Sequence, residues 1–476
     1  KDWGILIEYY ILISVITLKK RLDFLEKKKI KKLKVISLNA DFTFETTAEF
    51  KKELFQRPNV NLYINYLISQ ELRLSNLFKK KKTIIKCFKE RKINLFKKVV
   101  HIFNSLFIMV FKPHLIVDGY LGIKNSLKIF LKSKLKFLFV NISYLEKKNF
   151  IYEKNNELRN NINIKIKDRF DKLFEIYVRN TLPISFVENF QTNINRNYFL
   201  YKNLDKIGTA IHLPSTDEFK FLAMNFKRKN KKIFNIQHGG LIGERKFSLE
   251  DYIYKKYSNF NIYWNDKNTG VGPTYFNSVK ILDEIDGNRI LFFPSAYLFK
   301  EEVENLRLND HIYLNQYLGL LNSLDKKKFK DLYVKFFSNN PIAKNLWKKK
   351  LGSRINFLKK NYKGSVFNKT EIVIIDNFST AFYELLFYKK PFFIINKSNH
   401  SNLKLKFSRL ILNLKKINLL FDDEVKLANY LNNNEEFLKS KWQKITKSKE
   451  YKAIRNYIFP KREFNHTKFI KLINRI

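Results

Sequence analysis

A histidine beside two glycines is the segment of this sequence best suited to chemistry. The segment consists of Gln237, His238, Gly239 and Gly240, followed by Gly243 and Arg245. Only 13 glycines occur among 476 residues, so this concentration after an apolar run predicts a strand that ends in a tight turn with bare backbone. An imidazole there can take a proton from a hydroxyl, while glycine amides and an arginine can bind phosphate. We predict that His238 is catalytic and that the rest of the turn binds phosphate; the alternative is a glycine turn with an exposed histidine.

A second segment of the same kind lies about a domain further along the chain. An apolar run at 372–375 leads into Asp376, Asn377, Ser379 and Thr380, with Glu384 one helical turn later. Serine or threonine at the start of a helix caps it, and the free N–H groups and the dipole at that end bind phosphate. A carboxylate one turn along can accept hydrogen bonds from ribose hydroxyls. We predict that these five residues bind the phosphate and ribose of a nucleotide-activated donor substrate; the alternative is an ordinary capped helix with Glu384 in solvent.

Two further strand ends in the first half of the chain carry polar side chains. Asp118 follows the apolar run 114–117, and His212 is predicted to end a strand at 208–213, shortly before Ser215. Because ligands of open α/β sheets sit at the carboxyl ends of strands, these residues are predicted to line the binding site of the second substrate, the acceptor. A structural role for His212 fits equally well.

No Walker A loop, GxSxG elbow, HExxH or DxD motif occurs. P-loop hydrolases and zinc proteases are therefore poor candidates, and no metal site is predicted.

The elements that must position these residues alternate between short β-rich runs and longer helical patterns, as in α/β folds. Strands are predicted at 33–38, 114–117, 136–140, 208–213, 232–236, 289–293, 332–336, 371–375 and 391–395. A chain of this length is expected to form two domains. We predict an acceptor-side domain at 1–280, a nucleotide-binding domain at 281–430, and a helical tail at 431–476 that packs back on the first domain. The apolar segment at 3–18 is too short and too polar to span a membrane, and it predicts a buried or interfacial helix.

The net charge of +48 admits three interpretations. Lysine is spread along the whole chain, as AT-rich coding produces, so we interpret the charge as compositional and do not expect nucleic acid as a partner. The alternative is a basic polynucleotide-binding protein without catalysis, which would bind through counterion release. A third interpretation is a basic face that rests on an anionic membrane leaflet. The single cysteine, Cys87, excludes a disulfide framework and fits a cytoplasmic location.

A set of short motifs runs through the chain in a fixed order. It comprises the apolar segment at 3–25, Leu213-Pro214-Ser215, Gln237-His238-Gly239-Gly240 with Gly243, Tyr263-Trp264, the turn at 376–380 with Glu384, Lys390-Pro391, and Trp442. In this order the motifs resemble a family of transferases from bacterial surface-carbohydrate loci, first defined on a spirochaete protein. More remotely, the chain is similar to two-Rossmann (GT-B) glycosyltransferases and glycerophosphotransferases. Leu241-Ile242 departs from the family, which favours Gly or Tyr after the two glycines.

The resemblance implies an α/β fold with two Rossmann-like domains that face each other across a cleft. It also implies that His238 lies near the reaction centre and that Ser379, Thr380 and Glu384 hold a nucleotide. Together with the residues above, it predicts a metal-independent glycosyltransferase-like enzyme without a cofactor. The donor would be a nucleotide-activated sugar, with a CMP-linked sugar as the first hypothesis, and the acceptor a glycan or lipid-linked glycan of cell-surface polysaccharide or lipopolysaccharide. The enzyme is expected in the cytoplasm, with peripheral contact to an anionic membrane.

Overall fold

The amino-terminal part of the chain is mostly helical. A computed structural model describes residues 3–36, 42–56, 59–79, 85–86, 95–142, 153–201, 204–274, 289–294, 310–326, 331–335, 341–352, 355–358, 367, 370–396, 403–433, 438–461 and 463–476. The first elements are α1 (Trp3–Lys27), β1 (Lys32–Ile36), β2 (Phe42–Thr43), α2 (Thr47–Gln56), α3 (Asn59–Glu71), β3 (Ser75–Lys79), β4 (Ile85–Lys86) and α4 (Leu95–Phe111). β1 pairs with β3 and β2 pairs with β4, in both cases in parallel. α1 contributes many buried residues to the core, and none of the described helices is long and apolar enough to cross a membrane.

The next elements build a five-stranded parallel sheet. They are β5 (His114–Val117), α5 (Gly122–Lys132), β6 (Phe137–Val140), α6 (Asn156–Asn160), α7 (Arg169–Thr181), α8 (Phe190–Tyr201), β7 (Lys206–Thr209), α9 (His212–Ser215), α10 (Asp217–Arg228), β8 (Lys232–Ile236), α11 (Leu249–Tyr257) and β9 (Phe260–Ile262). The strand order is β6-β5-β7-β8-β9. Side chains alternate between the two faces, so Leu115 and Val117 join the core on one face and Ile116 joins the core on the other. Burial on both faces explains why these strands read as continuous apolar runs.

A six-stranded parallel sheet follows. Its elements are β10 (Arg289–Phe293), α12 (Asp310–Ser323), β11 (Asp331–Val334), α13 (Pro341–Leu351), β12 (Asn356–Phe357), β13 (Ile372–Ile375), α14 (Thr380–Phe387), β14 (Phe392–Ile395), α15 (Leu405–Lys416), β15 (Leu420–Phe421) and α16 (Glu424–Asn432). The strand order is β12-β11-β10-β13-β14-β15. Numbered from β10 onward, this is the order 3-2-1-4-5-6 of the Rossmann fold. The predicted fold class, with two Rossmann-like domains, is confirmed.

The last three helices contact both large sheets. They are α17 (Leu438–Lys447), α18 (Lys449–Ile458) and α19 (His466–Arg475). Trp442 of α17 and Ile454 of α18 belong to the core of the second sheet, whereas Phe469 of α19 belongs to a core of the first sheet. The predicted domain boundary at 280/281 lies outside the described residues, and the division of the chain at 430 stays a prediction.

One predicted strand differs from the observed strand by more than two residues. The strand predicted at 208–213 is β7, which ends at Thr209, and His212 begins the short helix α9 instead of ending a strand. The cause is local: the Thr209 hydroxyl accepts hydrogen bonds from the N–H groups of Ile211 at 3.3 Å and His212 at 3.2 Å. Such side-chain bonds to the backbone turn the chain out of the sheet.

Candidate active site

Three loops that follow parallel strands meet at the carboxyl edge of the first sheet. β5 leads into Asp118, β7 leads through a turn into His212, and β8 leads into Gln237 and His238. The strand order changes direction between β5 and β7, and ligands of open α/β sheets bind at such a switch point. Asp118 and His212 therefore lie at the switch point, and His238 lies one strand away.

His212 and Asp118 are in direct contact. The Nε2 atom of His212 lies 2.8 Å from Oδ2 of Asp118, and its Nδ1 atom lies 2.7 Å from Oγ1 of Thr216. Asp118 also accepts hydrogen bonds from the side chain of Asn141 at 2.8 Å and from the N–H of Ile142 at 2.9 Å. Both ring nitrogens of His212 are thus engaged, and the side chain is buried. This pair is well suited to fix the geometry of the sheet edge.

Ser215 was also predicted on the acceptor side. It is the last residue of α9, and its hydroxyl donates to the carbonyl of Ile211 at 3.1 Å. The hydroxyl oxygen keeps lone pairs that can accept a hydrogen bond. A role for Ser215 in acceptor binding stays a prediction.

His238 lies in the glycine loop (residues 237–245) and is surrounded by aromatic rings. Its ring centroid lies 5.9 Å from that of Tyr120 and 6.5 Å from that of Tyr254. Nδ1 is buried and has no hydrogen-bond partner within the part of the chain that the structure describes. Burial lowers the pKa of His238 below its ordinary value, although the nearby Glu250 carboxylate favours the protonated form. The imidazole is therefore neutral near neutral pH, which is the state that a general base requires.

Buried hydrogen bonds hold the glycine loop in place. Gln237 donates from Nε2 to the carbonyl of Gly239 at 2.8 Å, and its Oε1 accepts the N–H of Trp264 at 2.7 Å. Gly243 has φ +81°, which L side chains rarely adopt, so glycine is required there. Its N–H donates to Oδ2 of Asp251 at 2.8 Å. The loop is therefore fixed on both sides of His238.

The second predicted site occupies the corresponding place in the second sheet. β13 ends at Ile375, and the strand order changes direction between β10 and β13, so Asp376 lies at the switch point. The side chain of Asn377 accepts the N–H of Ser379 at 2.9 Å, which forms the turn into α14. Ser379 is the N-cap residue of α14, but its side chain makes no capping hydrogen bond. The Ser379 hydroxyl therefore does not occupy an amide of the first turn.

The glycine loop and the start of α14 touch, although 140 residues separate them in the chain. The N–H of Gly240 donates to Oγ1 of Thr380 at 3.3 Å, and the N–H of Leu241 donates to the hydroxyl of Tyr383 at 3.1 Å. A Cβ atom on Gly240 would lie 2.6 Å from the Tyr383 ring and 2.9 Å from the carbonyl of Phe378. Only glycine fits this contact, and the structure brings the two predicted segments into one place.

Asp376 and Glu384 are buried in this arrangement. Each side chain is 1% exposed, and the side chain of Asn396 donates to the carbonyl of Asp376 at 2.5 Å. Glu384 is thus not a solvated helix residue, which was the alternative to a binding role. A ligand would reach either carboxylate only after the surrounding side chains move.

Sequence reasoning misses the role of Glu244. Its carboxylate accepts hydrogen bonds from the side chain of Asn265 and, at 2.9 Å, from the hydroxyl of Tyr457 in α18. Its carbonyl accepts the N–H of Lys404 at 2.9 Å. Burial raises the pKa of Glu244, against the opposing effect of the Tyr457 hydrogen bond. Glu244 therefore connects the glycine loop to three other segments. The sequence indicates this role only by placing an acidic residue directly after Gly243 in a strongly basic chain.

Basic residues complete the surroundings of the glycine loop. Arg245 forms an isolated antiparallel bridge with Leu403, and the ammonium group of Lys404 donates to the carbonyl of Gly243. Both connections join the glycine loop to the second domain. Among the described residues, no group of His, Cys, Asp and Glu could hold a metal ion. The basic side chains of Arg245 and Lys404 are themselves suited to bind an anion.

Two parallel sheets whose carboxyl-edge loops touch define a two-Rossmann, GT-B-like architecture. Residues 3–460 match the model described as LIC12162 family transferase, and the chain belongs to this family of transferases. The resemblance drawn from the order of motifs is confirmed. No curated protein matches the chain in sequence.

Several solved structures superimpose loosely on this chain. A UDP-GlcNAc 2-epimerase from Neisseria meningitidis, bound to UDP-GlcNAc, has TM-score 0.43 and 9% identity over 76% of this chain and 100% of its own. The spinosyn rhamnosyltransferase SpnG has TM-score 0.40 and 6% identity over 76% and 100%. HepE from Anabaena, in complex with UDP and glucose, has TM-score 0.38 and 10% identity over 76% and 98%. The superpositions are too loose to carry an argument, so the fold assignment rests on the two sheets themselves.

Proposed function

We propose that this transferase moves a sugar from a nucleotide-activated donor to a hydroxyl of a glycan or lipid-linked glycan in the synthesis of cell-surface polysaccharide or lipopolysaccharide. The observation that carries the proposal is the contact between Gly240 and Thr380. It joins a histidine loop on one sheet to a helix N-terminus on the other. A reaction between two substrates held on separate domains needs such a juxtaposition. The reaction would take place in the cytoplasm and without a metal.

The donor binds at the start of α14. The dipole and the first amides of a helix attract phosphate, and the hydroxyls of Ser379 and Thr380 lie at this end of α14. The guanidinium of Arg245 adds positive charge from the opposite loop. Asp376 and Glu384 are buried, and they become available to the ribose hydroxyls when the side chains around them move. A CMP-linked acidic sugar is our first donor hypothesis, because its phosphate and its carboxylate would both be attracted by this positive charge.

The acceptor binds at the carboxyl edge of the first sheet. Asp118 and His212 hold the switch point of that sheet, and Tyr120, which is 39% exposed, offers a ring beside His238. Sugar rings pack well against aromatic faces, so Tyr120 is a suitable platform. An acceptor hydroxyl that points between Tyr120 and His238 then lies within reach of the imidazole.

His238 serves as the general base in this scheme. The neutral imidazole takes the proton of the acceptor hydroxyl while the acceptor oxygen forms a bond to the anomeric carbon. The bond from that carbon to the phosphate oxygen breaks, and the nucleotide leaves with the electron pair. The N-terminus of α14 stabilises the charge that develops on the phosphate, and His238 later releases its proton to solvent.

A thermal-shift screen of the full chain against CMP, CDP, UDP, GDP and a short oligonucleotide tests the proposal. We expect one nucleotide to raise the melting temperature, and the double variant Ser379→Ala/Thr380→Ala to lose that shift. The matched control is Ser448→Ala, because Ser448 caps α18, whose first turn contacts α14 at Leu386, the end of that helix opposite Thr380. It should keep the nucleotide shift even if its own melting temperature falls. Stabilisation by the oligonucleotide alone would contradict the proposal and favour a polynucleotide-binding protein.

A further inference from the structure

An apolar surface on the first domain is left uncovered by the rest of the described chain. On α4, apolar side chains at the spacing of one helix face are each more than half exposed: Val99, Ile102, Phe103, Leu106 and Val110. Scattered exposed apolar residues are ordinary, but a contiguous patch of this kind marks an interaction surface. The opposite side of α4 is buried at Phe107 and Ile108, so the helix is amphipathic with its larger apolar side outward.

The helix α5 continues this surface. Ile123, Leu127 and Leu131 recur every four residues and are 91%, 55% and 61% exposed. The Phe130 ring of α5 lies 5.7 Å from the Phe107 ring of α4, so the two helices meet at this ring contact. We call the exposed apolar residues of these two helices the α4–α5 face.

Positive charge borders the α4–α5 face. Lys124, Lys128 and Lys132 are exposed and lie one residue beyond the three apolar residues of α5, which places them in a parallel row on the helix. Between Leu95 and Ile142 the sequence has eight lysines and a single acidic residue, Asp118. That carboxylate is engaged by His212. The surface is therefore apolar and basic without an exposed counter-charge of its own.

We propose that the α4–α5 face docks on an anionic lipid bilayer, with its apolar side chains in the interfacial region and its lysines at the headgroups. Amphipathic helices with lysine beside bulky apolar residues lie in membrane interfaces in this way, and each lysine adds attraction to anionic lipid. A second copy of the chain fits less well, because a symmetric pair would bring two lysine rows together. The inference does not depend on the proposed reaction.

The α4–α5 face begins beside the candidate active site. Tyr120, two residues before the start of α5, lies 5.9 Å from His238 between ring centroids, and Ile123 stands in the first turn of α5. A docked bilayer would therefore lie near the carboxyl edge of the first sheet. An acceptor anchored in that bilayer could reach the histidine without leaving it.

Vesicle flotation of the full chain tests the proposal. We expect the protein to bind vesicles of phosphatidylglycerol and phosphatidylcholine in equal parts at least about tenfold more strongly than vesicles of phosphatidylcholine alone, and less at high salt. The triple variant Phe103→Ser/Val110→Ser/Ile123→Ser should lose about tenfold or more in binding. Its control is Leu405→Ser/Leu412→Ser, which removes exposed apolar side chains from α15 of the second domain.

A charge-reversal pair separates specific docking from the general charge of the protein. Lys124→Glu/Lys128→Glu should weaken binding to the anionic vesicles by about tenfold or more. Lys444→Glu/Lys452→Glu, on exposed positions of α17 and α18, changes the net charge equally and should weaken it much less. Equal losses in the two pairs, or unchanged binding in the apolar triple variant, would overturn the proposal. So would a wild-type dimer that becomes monomeric in the triple variant and never binds vesicles.

Discussion

His212 and His238 follow neighbouring strands of one sheet, yet their ring nitrogens have different partners. Both nitrogens of His212 are engaged, by Asp118 and Thr216, whereas Nδ1 of His238 has no partner among the described residues. A histidine whose ring is held at both nitrogens stabilises its surroundings, while one with an unengaged nitrogen can exchange a proton. Sequence reasoning treats the two as similar strand-end histidines. The structure separates them by their hydrogen bonds.

The largest predicted effect separates the two histidines by activity. His238→Asn should lower kcat by roughly 10²–10⁴-fold, since this is the usual contribution of a general base. Its melting temperature should fall less than that of the His212 variant, because no hydrogen bond to Nδ1 is lost and only the bond to the Ala210 backbone is removed. Steady-state kinetics with the donor found by the nucleotide screen, together with thermal melts, would measure both. A variant that keeps its rate would remove His238 from the reaction.

Gly240→Ala tests whether the contact between the domains supports His238. The added Cβ would lie 2.6 Å from the Tyr383 ring, so either the glycine loop or α14 must shift. We expect a loss of about 1–3 kcal/mol in the free energy of unfolding and at least about a tenfold loss of kcat/KM.

Gly239→Ala is the graded control for this prediction. A Cβ at that position would approach the Thr380 hydroxyl only to 3.2 Å, so both losses should be smaller. Chemical denaturation and steady-state kinetics of the two variants give the comparison. Equal behaviour of the two alanine variants would show that the close approach at Gly240 is unimportant.

His212→Ala should have the opposite profile to the His238 variant. It removes the ring that bonds the part-buried Thr216 hydroxyl and Oδ2 of Asp118, although that oxygen still accepts the N–H of Ile142. We expect a cost of about 2 kcal/mol in the free energy of unfolding. The fraction that remains folded should keep most of its kcat, with any loss falling on KM for the acceptor. Denaturant titration and kinetics on one preparation would test this. A loss of kcat as large as that of His238→Asn would reverse the roles assigned to the two histidines.

Much of the fold could be predicted because parallel strands buried on both faces give continuous apolar runs. Ile372–Ile375 and Phe392–Ile395 are such runs, and the structure has both as strands. The strand predicted at 208–213 shows where this reasoning fails. The Thr209 side chain turns the backbone by accepting hydrogen bonds, and a pattern of apolar residues does not predict such bonds. β9 and β15 escaped prediction because three and two residues are too few for a pattern.

Each of the two candidate segments could be predicted separately, but their contact could not. Scarce glycines indicated the turn around Gly240, and Ser379 with Thr380 indicated a helix start. Nothing in local sequence links positions 140 residues apart, because their distance depends on how two sheets pack. The same holds for Glu244, whose partners Asn265 and Tyr457 lie on separate elements.

The smallest predicted effect concerns pH and uses the depressed pKa of His238. Its unfolded-state value is close to the ordinary 6.5, and burial lowers the folded value. Between these two values the unfolded chain binds a proton that the folded chain does not. The stability linked to this histidine is therefore fully present above 6.5 and is lost as pH falls through the folded pKa.

The difference in unfolding free energy between wild type and His238→Asn isolates this contribution. As pH falls below 6.5, the wild type should lose stability relative to the variant. Above 6.5 the difference between the two should not depend on pH. If His238 is also the base, kcat/KM of the wild type should fall in the same acidic range, because protonation removes the lone pair that accepts the hydroxyl proton. An acid limb with its inflection above 6.5 would mean that the titrating base is another group. If the unfolding free energy difference and kcat/KM change over the same pH range below 6.5, the buried, unengaged nitrogen of His238 is the group that accepts the proton.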